Sequence, residues 1–575
     1  MPKSHNPVKK AARSSIWMPE VQFVECPSAR SASPVRGWSS DMPPTPASEY
    51  SRMVKADHLR RQLTKIRKLN FDKRMSTSVS SSGSGRGKSQ GHAAGSGREG
   101  VQEGAGVRKM KPAVMAVERW LMHYALKCRT RPSAPPSARP LRDAVFPMYA
   151  NAVSYVARDD LCELLVQDLM DAQDPEEDAR TAAEELLHLS HQLALEVWAE
   201  RAQEANGTAA GAAGTAASAA HKGGSAGWVQ LLAHKHTCDV IYHPAHGRTN
   251  TARQLLKLNP AHLEKLRLLH NMYASRTSTP EDAAAAADAA QDALQDAAAE
   301  QLFLSRVFCL LARYQTVQGH GFQAAVAESA FRVLHTDMAV TLECFASPLN
   351  CAYGRHCSAF PDTDKHFGSL GSFFDFAPTS GSFEVNPPFV LALMAAMNQH
   401  ICALFAAAEG PLSFVVVVPV WEGEPFFVAL IQHPHLVHRI LIAKKDHGFC
   451  DGASHQRQDR YRDSPYDTEV FILQNDRGAA RYPCTRQTEE SIRQGFAAGI
   501  PTDAMRLRQG REGRGTADEA RGVYKGKNAN RTGEGVVKRK REEFTEQRAA
   551  KKKEIRARKA LQKEKKRRKL EEMQA

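Results

Sequence analysis

The run Leu-Ser-Phe-Val-Val-Val-Val-Pro (Leu412 to Pro419) constrains the fold more than any other feature of the chain. A strand with one wet face alternates apolar and polar residues. Phe414 to Val418 do not alternate, so they read as a strand buried on both faces, with a layer above and a layer below. Other β-rich runs of strand length surround it between Gln301 and about Ser491: "ECFASPLN", "FFDF", "SFEVN", "HRILIA" and "TEVFILQND". Helical patterns such as Pro388 to Ala408 lie between them. Strands alternating with helices predict a mostly parallel α/β sheet. At 575 residues the chain exceeds one ordinary domain, so two folded units plus disordered segments are expected.

The rest of the chain is organised by composition. Residues 1–110 are rich in Ser, Pro, Gly, Arg and Lys and read as a largely disordered basic region. One helical patch, Ser48 to Met75, interrupts it and reads as a solvated basic helix. In 111–275, Val117, Leu121 and Tyr124, then Leu186, Leu189, Leu193 and Val197, fall at helical spacing and predict a helical accessory domain. Within it, 206–227 is a low-complexity, disordered insertion, "CDVIYH" is strand-like, and Pro260 opens an amphipathic helix. Residues 276–300 form an Ala-rich helix or insert, 301–500 the α/β domain, and 501–575 a basic tail. That tail carries 25 Lys/Arg against 12 Asp/Glu, +13 of a formal net charge of +15, and so reads as an arm for polyanions on a nearly neutral body. "KRKRE" and "KKRRK" in it read as nuclear import signals, RNA-phosphate contacts, or both. Eleven scattered cysteines, no secretory segment and no apolar run of membrane-spanning length predict an intracellular protein with free thiols, no membrane contact and a nuclear location.

The chemistry concentrates at Asn386-Pro387-Pro388-Phe389. A strand leads in and a helix leads out, which places Asn386 at the carboxyl edge of the sheet, where α/β sheets bind ligands. Two prolines stiffen the loop and leave carbonyls free as acceptors. Asn386 Oδ1 and the Pro387 carbonyl can then accept from one –NH2 group, while Phe389 offers a face for a planar ring. Such a site suits an exocyclic amine, whose delocalised lone pair needs hydrogen bonds that strengthen as it becomes pyramidal. The bland reading is a proline-stiffened strand exit with a core phenylalanine.

This loop matches the [Asp/Asn/Ser]-Pro-Pro-aromatic motif of amino-group methyltransferases. Together with Glu343 to Asn350, Cys357 to Asp364, Asp375 to Phe389, Pro411 to Trp421 and Phe471 to Asp476, it resembles the phosphorylated-CTD-interacting-factor family of cap-specific adenosine N6-methyltransferases. The resemblance covers roughly Gln301 to Tyr482. It implies a Rossmann-like methyltransferase core using S-adenosylmethionine, with the capped 5′ end of RNA as substrate. It implies that Asn386, Pro387, Pro388 and Phe389 hold the adenine N6 amine, and that Glu343, Phe345, Ser347, Pro348 and Asn350 hold the methyl donor. Asp362 and Asp375 both qualify for the donor ribose, and the sequence does not choose. Animal members carry a WW domain that binds the phosphorylated tail of RNA polymerase II. Trp17 and Trp38 have WW-like spacing, but the central aromatic strand is missing. A WW domain, and docking to that tail, are therefore not expected.

Alternative functions are N6-adenine methylation of internal RNA or DNA, N5-glutamine methylation of a protein, and a non-catalytic RNA-binding module. The cationic tail favours nucleic acid. His234, His236, Cys238, His243 and His246 fit no standard zinc spacing, Cys344, Cys351 and Cys357 read as buried thiols, and no metal is expected. "SGSGRGKS" (Ser82 to Ser89) lacks the strand and helix a phosphate loop needs.

Overall fold

The computed structural model describes residues 17–23, 44–81, 113, 115–127, 143–148, 158–211, 227–244, 254–273, 289–318, 324–457 and 459–507. Two units divide the chain, Met1–Thr502 and Asp503–Ala575, and every element named below lies in the first. The expectations for most of 1–43, for 82–112 and for the tail beyond 507 fall outside the described residues, as does 212–226 of the low-complexity insertion.

Four helices open the described chain: α1 (Pro46–Ser81), α2 (Ala116–Lys127), α3 (Arg158–Asp171) and α4 (Glu176–Gly211). Thr45 and Ser48 cap α1 reciprocally: Ser48 N–H donates to Thr45 Oγ1 (3.3 Å) and Thr45 N–H to Ser48 Oγ (3.0 Å). Pro46 follows the cap, where a missing N–H costs nothing. The reading of this segment as a solvated basic helix is corrected. Met53, Ala56, Leu59 and Leu63 are buried along one stripe. The basic side chains meet acids on neighbouring segments: Arg60 pairs with Glu118 at 2.6 Å, Arg67 with Asp174 at 2.5 Å and Lys55 with Glu200 at 3.0 Å. Opposite charges outside its own sequence make a basic helix packable. Val117, Leu121 and Tyr124 of α2 and Leu186, Leu193 and Val197 of α4 are buried, as their spacing requires.

An antiparallel meander follows, β1 (Trp228–Ala233), β2 (Cys238–His243) and β3 (Gln254–Leu258). Asn259 then caps α5 (Pro260–Tyr273), its Oδ1 accepting from His262 N–H at 2.9 Å. In α6 (Ala289–Thr316) the Ala-rich start gives way to a deeply buried half containing Phe303, Val307, Phe308 and Leu311.

The second layered region begins with α7 (Glu328–Met338) and contains β4 (Gly381–Val385), α8 (Leu391–Ala406), β5 (Leu412–Pro419), α9 (Pro425–Ile431) and β6 (Leu436–Ile442). A small hairpin, β7 (Gly448–Cys450) and β8 (Tyr461–Asp463), precedes β9 (Thr468–Gln474), α10 (Asp476–Arg481) and α11 (Arg486–Ala497). Four strands form one sheet in the order β4-β5-β9-β6. β4 and β5 are parallel and β9 runs antiparallel to both β5 and β6, so the sheet is mixed: β4, β5 and β6 share one direction and β9 is reversed among them. Burial on both faces leaves no periodic signal of strand direction. Single-residue parallel bridges extend the sheet beyond β4: Glu384 to Glu343, Glu343 to His356 and His356 to Ser369.

All eight residues of β5 are buried. Phe414, Val416 and Val418 pack with Met394, Met397 and Ile401 of α8. Val415 and Val417 face the other way, toward Phe331 and Leu334 of α7 and Ile492 and Phe496 of α11. Burying each such side chain is worth about 1.5–3 kcal/mol, which is why neither face of β5 carries charge. Among the described residues no helix is long and apolar enough to cross a membrane.

Candidate active site at the sheet edge

The strand positions at Ser369, His356 and Glu343 lie to one side of β4 and β5, although Glu343 comes first in the chain. Strand order therefore reverses between Glu343 and β4, and the segments leaving those two positions diverge at the carboxyl edge. Such a switch point opens a crevice. Two loops enter it, Cys344–Asn350 and Asn386–Phe389.

The first loop is tied to both neighbours. Cys344 N–H donates to Glu384 O (2.8 Å) and Cys357 N–H to Glu343 O (2.8 Å). Asn350 Oδ1 accepts from Ser347 N–H (2.7 Å) and Ser347 Oγ (2.9 Å), closing the turn through Pro348, which is buried. In the second loop Asn386 Nδ2 donates to Ala324 O (3.1 Å), and Val390 N–H donates back to Pro388 O (2.7 Å). A carbonyl partner can face only the nitrogen end of the amide, so this bond leaves Oδ1 unused. The Pro387 carbonyl accepts no backbone bond among the described residues. Phe389 is half-buried, its ring 6.1 Å from that of Trp421.

Between these loops lies a half-open cleft. Of the residues expected to act, Phe345, Ser347, Asn350 and Pro388 line it. Asn386, Pro387 and Phe389 adjoin it through Pro388. Glu343 does not line it: buried behind, it accepts Ala352 and Tyr353 N–H at 2.7 and 3.0 Å. Asp362 also stands away from the wall, both carboxylate oxygens held by Arg313 at 2.9 and 2.8 Å. Asp375 is exposed and lines no part of the cleft. Sequence reasoning missed Tyr314 of α6, Met122 and Leu126 of α2, and Ser358 and Phe373. Ser358 lay within the block Cys357 to Asp364. The other helical contributors carry no local signal, because they reach the cleft only by packing.

Burial dominates the electrostatics here. It pushes the Glu343 carboxyl up to about 7 against the two N–H donors that oppose the shift. Glu384 beside it is raised well above the carboxylate range by burial and by Glu343. Asp364 is likewise pushed up to about 7, although Tyr314 Oη donates to it at 2.6 Å and Thr363 Oγ1 at 2.8 Å. These three acids lie behind the cleft, and its lining carries no Asp or Glu. Among the described residues no cluster of three or more His, Cys, Asp or Glu could hold a metal. His234 bonds Asp239 and His243 stacks on Trp228.

Fold and site define a mixed α/β protein with a ligand cleft at a sheet edge. Residues 269–452 match the family described as Phosphorylated CTD interacting factor 1 WW domain. The chain is 39% identical over 207 residues to the human protein named mRNA (2'-O-methyladenosine-N(6)-)-methyltransferase, and 38% identical over 207 residues to the mouse protein of that name. Each alignment covers 34% of this chain and 29% of the relative, so the chain spans less than a third of the length of the curated relatives it matches. The family match overturns the expectation that the WW-named part of the family is missing. It falls from α5 to the β7 region rather than at the N-terminus, where Trp17 is buried against Lys265.

Proposed function

We propose that this protein transfers a methyl group from S-adenosylmethionine to N6 of the cap-adjacent adenosine of mRNA. The reading is carried by one observation: the strand-order reversal opens a cleft lined by Phe345, Ser347, Asn350 and Pro388, beside an Asn386 whose amide is anchored through its nitrogen. The order of strand positions, third-second-first-fourth-fifth in chain sequence, supports a Rossmann-like methyltransferase core. The human and mouse relatives' names supply the substrate class.

The lining of the cleft fits the donor in kind. Phe345 and Phe373 offer rings, and Ser347, Asn350 and Ser358 offer polar atoms. When bound, the donor supplies an electrophilic methyl carbon on a sulfonium. The chain's own residues do the rest. Asn386 Oδ1 and the Pro387 carbonyl accept from the two N–H bonds of the amine, which favours its pyramidal form and frees the lone pair. Phe389 fixes the ring plane, and the stiff Pro-Pro segment holds the acceptors in place before substrate arrives. An adenine splayed from single-stranded RNA meets these requirements. The basic tail adds phosphate contacts, and its Lys/Arg clusters point to the nucleus. The family match removes the ground for excluding the polymerase tail as a partner.

The test is transfer of labelled methyl to capped and uncapped oligoribonucleotides beginning with A or G. Labelling is expected only for the capped RNA beginning with A. Equal labelling of uncapped RNA would remove the cap from the reading and leave internal adenine methylation.

A further inference from the structure

Beyond Phe389 the same sheet edge carries two aromatic side chains that the proposed reaction does not use. Trp421 follows β5, its ring 6.1 Å from Phe389 at 71°. Tyr466 precedes β9, whose antiparallel course brings its start to the carboxyl edge of β5. Its ring lies 5.5 Å from Trp421 at 89°. Backbone bonds hold both in place: Val420 N–H donates to Asp467 O (2.9 Å), Glu424 N–H to Trp421 O (2.9 Å) and Ser464 Oγ to Tyr466 O (2.7 Å). Core packing explains part of this, since Trp421 also meets Phe426 at 6.1 Å. It does not explain Tyr466, which is 43% exposed. The turn beside Trp421 is open, because a Cβ added at Gly423 would meet nothing within 4 Å. Exposed Glu422 and half-buried Glu424 lie in that turn, one and three residues after Trp421. An aromatic face with a carboxylate at its rim suits a base: the ring stacks, and the carboxylate accepts from ring or exocyclic N–H groups.

We propose that Trp421, Tyr466 and Glu422 form a second nucleobase subsite, which holds the base next to the target adenine in the same RNA. This rests on the reading of Phe389 as the platform for that adenine. Two bases share the required chemistry, the 7-methylguanine across the cap bridge and the nucleotide 3′ of the target. The carboxylates favour an electron-poor ring, and Lys444 and Lys445, exposed after β6, extend the edge with positive charge for the backbone.

The experiment measures binding, so its result does not depend on methyl transfer. Full-length wild type, Tyr466→Ala and Trp421→Leu are titrated by fluorescence anisotropy with three labelled ligands. These are the cap dinucleotide ending at adenosine, a capped tetranucleotide beginning with A, and that tetranucleotide uncapped. Loss of one stacked base weakens binding by roughly tenfold or more. If Tyr466→Ala weakens the two capped ligands only, the occupant is the cap guanine. If it weakens both tetranucleotides but not the dinucleotide, the occupant is the following base. Wild-type affinity for all three in the exposed-site variant Tyr466→Ala overturns the subsite, even if the wild-type protein methylates RNA. No binding of any ligand by the wild type removes the functional reading along with it.

Discussion

Asn386 shows how one hydrogen bond sets a residue's chemistry. With one Nδ2–H on Ala324 O, the amide is anchored and its Oδ1 stays available as an acceptor. Asn386→Ala is therefore expected to lower methyl transfer by about 10²–10³-fold, the usual cost of removing a preorganised polar group at a reacting atom, while calorimetry shows donor affinity retained. Loss of both together would mean that the loop builds the donor site. Glu343 behaves differently because it is sealed behind the cleft. Its carboxyl titrates near 4.5 when unfolded and near 7 when folded. Between those values the unfolded chain has lost a proton that the folded protein keeps. Stability from this group is thus fully present below about 4.5, falls as pH rises through the window, and is level above 7. His356 and His366, pushed down to about 3 by burial, act in the opposite sense up to 6.5. The comparison must therefore be made between variants. Glu343→Gln keeps the acceptor for Ala352 and Tyr353 but cannot ionise. Its Tm relative to wild type should rise steadily from pH 5 to pH 7.5, and a constant difference would refute the assignment.

At the scale of elements, α1 is attached to the rest by charge as much as by its apolar stripe. Arg313 of α6, fully buried, is gripped by Glu49 through Nε and Nη2 at 2.7 Å each, and by Asp362. Arg52 joins the same cluster through Glu49 and Asp143. Glu49→Gln takes one of two counter-ions from each of the buried cations, Arg313 keeping Asp362 and Arg52 keeping Asp143, and breaking a buried pair typically costs about 3–5 kcal/mol. Urea denaturation should show a correspondingly lower midpoint, whereas a shift below about 1 kcal/mol would class the pair with exposed surface bridges. The cluster also explains why Asp362 does not face the cleft: an acid inside the expected motif is used to pin two helices. Tyr314, one residue after Arg313, lines the cleft, so α6 both joins the helical region to the sheet and shapes the site.

At the scale of the whole molecule, charge is unevenly placed. The body compensates its basic helix with acids, while the segment after Pro501 carries most of the excess. Truncation near Pro501 should weaken RNA binding strongly at low salt and little at high salt, because counterion release supplies this part of the affinity. Equal loss at both salt concentrations in a filter-binding titration would show that the tail is not an electrostatic arm.

Some features were fixed locally. The unbroken apolar run of β5 announced burial on both faces, Asn386 to Phe389 announced a rigid strand exit, and the spacing in α2 and α4 announced helices, since each depends only on neighbouring residues and backbone sterics. Other features depended on partners far away in sequence. The direction of β9, the fate of Asp362, the packing of α1 and the entry of Tyr314, Met122 and Leu126 into the cleft left no periodic trace. Direction, pairing and enclosure are properties of what a segment meets after folding, and only the assembled sheet and helices decide them.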